Sequence, residues 1–336
     1  MKAYNVAIVG PLGTVGRKII TILSERNFPI NKIKFLGTPK NKNKEIIFNG
    51  EKFFTEVAEK GDFNDIDIAF FCVDRSISKY LAPIAVSKEA VVIDNSNAWR
   101  MDDNVPLVIP EVNSEDLVHH KGLIANPNCS TIQMLVPLKP LHDVYKIKRI
   151  VVSTYQAVSG SGKNAIKELT NQITDYCSDK PISNSVYPYQ ILFNALPHID
   201  EFLENGYTKE EMKMVNETKK ILDKNIKVCS TTVRIPVINC HSESVNIQTE
   251  KPISADEARK ILSESKGIKV VDDPKSELYP MPIDANGKDE VFVGRVRNDF
   301  SIKNGLNLWI VADNLRKGAA LNSVQIAETL IEKNLL

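Results

Sequence analysis

The chain has 336 residues, more than one hydrophobic core usually holds, so two domains are expected. Its 43 Lys and Arg residues nearly balance its 42 Asp and Glu residues, and a net charge of +1 offers no overall attraction for nucleic acid or an anionic membrane. No apolar stretch approaches the roughly 20 residues of a membrane-spanning helix, and the N-terminus lacks the pattern of a signal peptide. We therefore expect a cytoplasmic protein without nucleic-acid or membrane partners.

The cysteines are scattered, at positions 72, 129, 177, 229 and 240. They form neither a Cys-x-x-Cys pair nor a Cys/His cluster at zinc spacing, so neither a disulfide framework nor a metal site is predicted. Isolated thiols are usually small buried hydrophobic groups. Only Cys129 has a sequence context that suggests chemistry.

The first part of the chain alternates strand-like and helix-like patterns. An apolar run at 5–10 ends in glycine, and the next stretch places Val15, Ile19, Ile22 and Leu23 on one helical face. Further strands are predicted at 34–37, 66–73 and 90–94, with a helix at 77–88. This alternation predicts an α/β domain with a parallel, doubly wound sheet.

After about residue 126 the strands show alternating polar and apolar positions, which is typical of a mixed or antiparallel sheet with one covered face. Strands are predicted at 147–154, 227–238, 244–249, 291–298 and 307–312. Helices are predicted at 162–177, 208–223 and 254–265, with a last amphipathic helix at 317–333. The second part is therefore expected to be an α+β domain.

Three glycines, Gly10, Gly13 and Gly16, fall where the first predicted strand turns into the first helix. Glycines there let backbone N–H groups and the helix N-terminus approach a pyrophosphate. The alternative is a tight loop without a ligand. The context of strand, turn and helix favours a dinucleotide site.

The segment after the second predicted strand distinguishes between the two dinucleotides. It contains Thr38 and Lys40 and no carboxylate before Glu45. An acidic residue at this place favours NAD because it binds the ribose 2′-hydroxyl, whereas cationic groups suit the 2′-phosphate of NADP. The sequence therefore favours NADP, with a solvated basic loop as the alternative.

A candidate nucleophile, Cys129, lies at the predicted start of a helix, directly after Asn126-Pro127-Asn128. The positive end of the helix dipole lowers the pKa of a thiol placed there, which favours a reactive thiolate. Adjacent backbone N–H groups and Asn128 are predicted to hold the oxyanion of a tetrahedral intermediate. Of the five histidines, His241 is the preferred proton-transfer partner because it shares one predicted strand-like element with Arg234. A lone histidine in such a place is more often structural.

These motifs, in this order, resemble the aspartate-semialdehyde dehydrogenase family. The resemblance rests on Gly10 to Gly16, on Asn126-Pro-Asn-Cys-Ser-Thr, and on Arg234-Ile-Pro followed by His241-Ser. It covers nearly the whole chain through the segments 94–100, 108–113, 156–160, 217–220 and 313–320.

The resemblance implies NADPH-driven reduction of L-aspartyl 4-phosphate to L-aspartate 4-semialdehyde with release of phosphate. This reaction stands at a branch point of lysine, threonine and methionine biosynthesis. Cys129 would carry the substrate as a thioester, and His241 would serve as the acid/base.

The resemblance also implies roles for residues that the sequence patterns alone do not single out. Arg234 would bind the substrate carboxylate, Glu217 the ammonium, Arg100 and Lys220 the phosphate, and Gln156 would place the reacting group. Ordinary surface charges, or an ion pair within one helical turn, explain the same residues taken singly. The implied cofactor contacts are Gly10, Gly13, Thr14, Val15, Gly16, Thr38, Lys40, Ser159, Gly160, Gly162 and Asn314.

The domain arrangement implied by the resemblance is a Rossmann domain at 1–126, completed by a C-terminal helix at 313–336. A catalytic and dimerisation domain at 127–312 would be similar to that of glyceraldehyde-3-phosphate dehydrogenase. A homodimer is expected, with a tetramer as the alternative.

Three other functions remain as alternatives. N-acetylglutamyl-phosphate reductase uses the same thioester chemistry on a longer substrate that lacks a free ammonium, so Glu217 disfavours it. Glyceraldehyde-3-phosphate dehydrogenase is disfavoured because its Ser-Cys-Thr-Thr-Asn-Cys signature is absent. A non-catalytic NADP-binding sensor is disfavoured by the joint presence of Cys129, His241, Arg234 and Arg100.

Overall fold

The computed structural model describes residues 2–59 and 61–336, and these residues form two compact units. The first unit contains the chain up to residue 127 and from 319 onward, and the second contains 128–318. Residues 313–318, which the sequence analysis assigned to the first domain, thus lie in the second unit. One reason is that the carboxylate of Asp313 accepts a hydrogen bond of 2.9 Å from the N–H of Gly287, a residue of the second unit.

The first unit is built on a six-stranded parallel sheet. Its elements up to residue 127 are, in chain order, β1 (Tyr4–Val9), α1 (Thr14–Glu25), β2 (Ile30–Gly37), β3 (Glu45–Phe48), β4 (Glu51–Phe54), β5 (Glu56–Val57), β6 (Ile68–Phe71), α2 (Arg75–Val86), β7 (Val91–Asp94), α3 (Pro110–Asn113) and β8 (Leu123–Ala125). The strand order is β5-β2-β1-β6-β7-β8, with every neighbouring pair parallel. The order changes direction at β1, which is the switch point where doubly wound folds bind dinucleotides. The predicted α/β class is confirmed.

Burial explains why these segments form a parallel sheet. Every residue of β6 and of β7 is buried, as expected for strands that helices cover on both faces. Helix α1 buries Ile19, Ile22 and Leu23, the face that the sequence pattern predicts. The apolar runs of β6 and β7 and the periodicity of α1 therefore correspond to buried core positions.

The second unit is built on a six-stranded mixed sheet. Its elements are α4 (Cys129–Tyr145), β9 (Ile147–Gln156), α5 (Lys163–Cys177), α6 (Lys209–Ile221), β10 (Lys227–Arg234), β11 (His241–Thr249), α7 (Ala255–Glu264), β12 (Ile268–Val270), α8 (Pro282–Ala285), β13 (Val291–Asp299) and β14 (Gly305–Ala312). The strand order is β10-β9-β11-β14-β13-β12. β10 is parallel to β9 and β12 to β13, whereas the central pairs are antiparallel. The expected mixed α+β sheet is confirmed.

One predicted strand is divided in the structure. β10 ends at Arg234 and does not continue to 238, and His241 begins β11 after a turn. Pro236 has no N–H to donate to a sheet ladder, and Cys240 adopts a left-handed backbone with φ of 72°. The prediction that Arg234 and His241 share one element is therefore wrong, because they lie on two strands.

The C-terminal helix α9 (Leu321–Glu332) belongs to the first unit. It is shorter than the predicted 317–333 because Arg316–Ala320 forms a π-helical turn. Its buried side chains, among them Leu321, Val324 and Leu330, join the apolar core around β1 and α1. Among the helices of the described residues, none is both long and apolar enough to span a bilayer.

Candidate active site

The turn between β1 and α1 leaves no room for side chains. Gly10 has a φ of 85°, and a Cβ placed on it would lie 2.3 Å from the carbonyl oxygen of Cys72. A Cβ on Gly16 would lie 2.3 Å from the carbonyl oxygen of Gly10. Only glycine fits these two positions, because one needs a left-handed backbone and both meet backbone atoms.

The N-terminus of α1 fits a pyrophosphate. Gly13 is the N-cap residue of α1 and has no side chain that could occupy the helix N-terminus. The first turn of α1 contains no acidic residue. The first turn consists of Thr14, Val15 and Gly16. Their N–H groups have no acceptor inside the helix itself, because they precede the first residue that bonds back along it. Such N–H groups and the positive end of the helix dipole attract phosphate oxygens.

The segment after β2 carries Thr38 and Lys40. Both side chains are exposed, and Lys40 lies in a short 3₁₀ turn at Pro39–Asn41. They follow the carboxyl end of the strand next to β1, the place where the ribose of a dinucleotide lies in this fold. An exposed ammonium at this place fits a phosphate group.

The candidate nucleophile, Cys129, is the first residue of α4 and is half-buried. Asn128 caps this helix: its Oδ1 accepts hydrogen bonds from the N–H groups of Ser130 at 3.0 Å and Thr131 at 3.4 Å. An N-terminal cap holds the first turn in helical geometry, so the helix dipole acts on the thiol. This environment favours the thiolate form of Cys129.

The imidazole of His241 lies beside the thiol, with its Nε2 at 3.3 Å from the Sγ of Cys129. Its Nδ1 accepts a hydrogen bond of 3.0 Å from the backbone N–H of Ala157. Because a backbone N–H can only donate, Nδ1 is unprotonated, and the neutral ring carries its proton on Nε2, facing the sulfur. Burial, and then the nearby Arg234 guanidinium, hold the pKa of His241 well below its ordinary value.

A buried guanidinium lies next to this pair. Arg234 ends β10 opposite Gln156, which ends β9, and its Nη1 donates to the carbonyl oxygen of Ala157 at 2.6 Å. Its Nε has no hydrogen-bond partner among the described residues. A Cβ on Gly160 would lie 3.0 Å from Arg234 Nη1 and 3.2 Å from His241 Cε1, so the chain passes very close to both side chains. A buried N–H without an acceptor is suited to binding a carboxylate.

Helix α6 brings further charged groups to the start of α4. Glu217 is buried, and its Oε2 accepts a hydrogen bond of 2.7 Å from the N–H of Asn128. Lys220 follows near the end of α6 and is half-buried. The side chain of Asn128 donates from Nδ2 to Glu210 at 3.0 Å, so both ends of this amide are engaged. Its predicted contact with a substrate oxyanion stays a prediction.

The loop after β9 is tied to the turn before His241. Asn314 donates from Nδ2 to the Oγ of Ser159 at 3.0 Å and accepts from the N–H of Cys240 at 2.9 Å. Gly162, with a φ of 84°, immediately precedes α5. These contacts fix the backbone around the imidazole, and the predicted cofactor contacts of Ser159, Gly160, Gly162 and Asn314 stay predictions.

The predicted residues divide between the two units, and the structure brings together those of the second unit. In the second unit, hydrogen bonds and close contacts join most of the predicted set: Asn128, Cys129, Gln156, Ser159, Gly160, Glu217, Arg234, His241 and Asn314. The first unit holds the glycine turn, Thr38, Lys40 and Arg100. The Nη2 of Arg100 donates to the carbonyl oxygen of Asn95 at 3.2 Å in the turn after β7.

Sequence reasoning missed two contributors to this site. The backbone of Ala157 binds both His241 and Arg234, and no side-chain pattern could indicate a main-chain contact. Glu210 binds Asn128 and Gln156. Its signal was its position two helical turns before Glu217, on the same face of a predicted amphipathic helix.

A doubly wound sheet with an open helix N-terminus, joined in one chain to a mixed-sheet unit with a paired thiol and imidazole, is typical of an NAD(P)-dependent aldehyde oxidoreductase. Residues 5–120 match the family model of the semialdehyde dehydrogenase NAD binding domain, and residues 138–317 match that of the semialdehyde dehydrogenase dimerisation domain. The chain belongs to the aspartate-semialdehyde dehydrogenase family and is an oxidoreductase of amino-acid biosynthesis.

Individual relatives agree with this assignment over the full length of the chain. An aspartate-semialdehyde dehydrogenase of Aquifex aeolicus is 53% identical, with 99% of each chain covered. That of Bacillus subtilis is 46% identical, covering 100% of this chain and 99% of its own. The crystal structure of aspartate semialdehyde dehydrogenase II from Vibrio cholerae, complexed with ASA, has a TM-score of 0.96 at 45% identity, with 99% of each chain covered. The resemblance inferred from the sequence motifs is confirmed.

Proposed function

We propose that this chain catalyses the NADPH-dependent reductive dephosphorylation of L-aspartyl 4-phosphate to L-aspartate 4-semialdehyde, through a thioester on Cys129. The observation that supports it most directly is the distance of 3.3 Å between the Sγ of Cys129 and the Nε2 of His241 at the N-terminus of α4. A thiol in that position is poised to form a covalent acyl intermediate.

In the first step, the thiolate of Cys129 attacks the acyl carbon, and a carbon–sulfur bond forms. The carbon–oxygen bond to the phosphate then breaks, and the phosphate leaves with the electron pair. The thiolate needs no base at the moment of attack if it is already ionised, and the helix dipole favours that state. The N–H on Nε2 of His241 stabilises the sulfur anion by a charge-assisted hydrogen bond.

In the second step, the thioester is reduced and released as the aldehyde. When bound, the dinucleotide supplies the hydride that reduces the acyl carbon. The N–H on Nε2 of His241 can then donate a hydrogen bond to the tetrahedral oxygen and stabilise its negative charge while keeping the proton. The acid/base role of His241 stays a prediction. The carbon–sulfur bond breaks, its electron pair returns to Cys129, and the aldehyde leaves.

The charged residues fit an amino-acid substrate. Arg234 is proposed to bind the substrate carboxylate, in keeping with its buried guanidinium and the absence of a partner for its Nε among the described residues. Glu217 is proposed to bind the ammonium, while Arg100 and Lys220 are proposed to bind the phosphate. Gln156 is proposed to orient the reacting group.

The family match establishes an NAD(P)-binding domain, and we propose NADP as the cofactor. The fit of the glycine turn to a pyrophosphate and the exposed Lys40 after β2 support it. The match to a dimerisation domain indicates an oligomer, and we propose a homodimer, with a tetramer as the alternative. The predicted cytoplasmic location stays a prediction.

The decisive experiment is the reverse reaction followed by absorbance of the reduced cofactor. Purified protein should reduce NADP with phosphate and aspartate semialdehyde, and should do so faster than with N-acetylglutamate semialdehyde or with NAD. A preference for the acylated substrate would assign the activity to N-acetylglutamyl-phosphate reductase. Cofactor binding without phosphate-dependent turnover would support a sensor.

The covalent step has its own prediction. Cys129→Ala should abolish the acyl adduct that intact-mass spectrometry detects in the wild type, because the sulfur is gone. NADP binding should stay nearly unchanged, since the proposed pyrophosphate contacts lie in the glycine turn of the first unit. If the variant still gained the mass of the acyl group that the wild type gains, the nucleophile would be another residue.

A further inference from the structure

Two of the buried carboxylates of helix α6, those of Glu210 and Glu217, lie two helical turns apart on one face. Glu217 is the residue assigned above to the substrate ammonium. Glu210 has no role in the mechanism as described, although the residue is only 5% exposed. Burying a carboxylate costs free energy unless several donors hydrogen-bond to it. The residues that bind Glu210 therefore indicate its role.

The partners of Glu210 are side chains of the site. Its Oε1 accepts from the Nδ2 of Asn128 at 3.0 Å and from the Nε2 of Gln156 at 3.2 Å. Its Oε2 accepts from the ammonium of Lys213 at 3.1 Å, and Lys213 also donates to Asp200 at 2.7 Å. One carboxylate thus links the residue before the nucleophile to the end of β9.

The charge state of Glu210 determines which way both amides point. Burial raises its pKa, but the Lys213 cation and the two amide donors outweigh burial, so the pKa lies below its ordinary value. An ionised carboxylate can only accept hydrogen bonds. Both amides must therefore turn their NH₂ groups toward Glu210.

Fixing the NH₂ groups also fixes the two carbonyl oxygens. The Oδ1 of Asn128 is left facing Ser130 and Thr131, where it caps α4. The Oε1 of Gln156 is left to accept from the hydroxyl of Thr154 at 3.1 Å. A reversed Asn128 amide would place its NH₂ against two backbone N–H groups and would lose the cap directly before Cys129.

We propose that Glu210 is a positioning residue that fixes the amides of Asn128 and Gln156, and thereby holds the start of α4 and the thiol of Cys129 in reactive geometry. The expected effect on kcat rests on the proposed function. The expected effect on the geometry at the start of α4 rests on the contacts of α6 alone. Glu210 acts through Asn128 and Gln156 and is not assigned to the substrate.

The test is Glu210→Gln, a substitution of equal size without charge. Its amide would present an NH₂ either to Lys213 or to the two site amides, so at least one donor faces another donor. We expect kcat to fall about 10- to 100-fold, the range for one buried polar group left without a partner. The KM for NADPH should change by less than about twofold, because a loss confined to the chemical step leaves cofactor binding intact.

A second readout follows the thiol directly. The rate at which iodoacetamide alkylates Cys129, measured by peptide mass mapping, should fall about fivefold or more in Glu210→Gln, because a disturbed cap weakens the stabilisation of the thiolate by the helix dipole. This measurement needs no substrate. A fall in alkylation without any phosphate-dependent turnover in the wild type would keep the positioning role and reject the proposed function. Wild-type turnover with unchanged kcat and alkylation in the variant would reject the positioning role alone.

The neighbouring Glu211 provides a matched control. It lies on the same helix and is also buried, but its carboxylate accepts from the N–H groups of Thr208 at 2.7 Å and Thr232 at 3.0 Å. Glu211→Gln should lower the melting temperature while kcat and the alkylation rate stay at wild-type values. Equal kinetic losses in both variants would reduce Glu210 to a structural carboxylate and overturn the proposal.

A third variant keeps the test decisive if Glu210→Gln does not fold. Glu210→Asp retains the charge beside Lys213 but withdraws it from the two amides by one methylene group. It should show the same fall in kcat and alkylation with an unchanged KM for NADPH. Wild-type values for both rates would overturn the proposal.

Discussion

The ring of His241 has a different partner at each nitrogen. The backbone N–H of Ala157 occupies Nδ1 at 3.0 Å, and the sulfur of Cys129 lies 3.3 Å from Nε2. An imidazolium would need a proton on Nδ1, where it would face another donor. Burial and the Arg234 guanidinium lower the pKa of the ring for an independent reason. The cysteine and histidine therefore form a hydrogen-bonded pair with a neutral ring.

We predict that His241 stays neutral from pH 6.5 to 8, with its proton on Nε2. A lowered pKa moves protonation to a pH below the ordinary value of about 6.5, so the neutral form dominates throughout this window. Nitrogen NMR of protein labelled at histidine should show one protonated and one unprotonated ring nitrogen at every pH. The His241→Gln variant identifies the signals by their loss. A midpoint at or above 6.5 would contradict the assignment.

In the proposal, the preference for NADP over NAD depends on one exposed residue, Lys40. We predict that Lys40→Ala raises the Kd for NADPH by about tenfold, the size of one charge-assisted hydrogen bond. Binding measured by fluorescence titration provides the test. NADH is the internal control, because it lacks the 2′-phosphate and its Kd should not change. Equal weakening of both cofactors would mean that Lys40 supports the loop and does not read the phosphate.

The sequence indicated which residue types form the site, but not the hydrogen bonds between them. The order of Asn128-Cys129, Arg234 and His241 was enough to suggest a nucleophile and its partners. The tautomer of His241 depends on a main-chain N–H, which every non-proline residue carries, so no residue pattern can indicate it. The engagement of Asn128 by Glu210 is likewise a contact between positions far apart in the chain.

Among the structural elements, the β1–α1 turn is the one in which spacing and geometry agree most closely. A Cβ added to Gly16 would lie 2.3 Å from the carbonyl oxygen of Gly10 and 2.9 Å from the Cα of Pro11. The turn can relax only by moving backbone, since neither contact is the end of a flexible side chain. Gly13 differs, because its nearest neighbour would lie at 3.5 Å and its φ is −71°.

We predict that Gly16→Ala lowers the free energy of unfolding by about 1–3 kcal/mol, the usual cost of overpacking. It should also weaken NADPH binding, because the displaced turn moves the N-terminus of α1. Urea unfolding and cofactor titration measure the two effects. Gly13→Ala is the stability control and should unfold like the wild type. Comparable destabilisation by both changes would argue that the close approach at Gly16 is not the cause.

Some elements escaped sequence reasoning although a local signal existed. The β3–β4 hairpin turns at Asn49-Gly50, where both residues have positive φ, of 49° and 82°. This dipeptide between two strand-like segments is a strong hairpin signal, but no hairpin was predicted there. The end of β10 also had a local signal in Pro236, which cannot donate to a sheet ladder.

For the molecule as a whole, periodicity predicted the two fold classes but not the pairing of strands. Alternation of strands with helices implies a parallel sheet, and polar alternation implies a sheet with one covered face. The position of β11 between β9 and β14 depends on contacts between residues up to more than a hundred positions apart. Such pairings follow from the packing of the entire unit and leave no local trace.

The mixed sheet of the second unit has two unequal faces. On β11, Glu243 and Val245 are fully buried, whereas Ser244 between them is half-buried and pairs with Ser153 on β9 and Trp309 on β14. We propose this half-buried side of the sheet as the interface of the proposed homodimer, because the second unit matches a dimerisation domain.

We predict that Ser244→Arg converts the proposed dimer into single chains, since a bulky cation in the proposed interface would be buried without a partner. Light scattering coupled to size-exclusion chromatography should show half the wild-type mass. Ser263→Arg, on the exposed side of α7, is the control and should remain dimeric. If Ser244→Arg kept the wild-type mass, the interface would have to lie on another surface of the second unit.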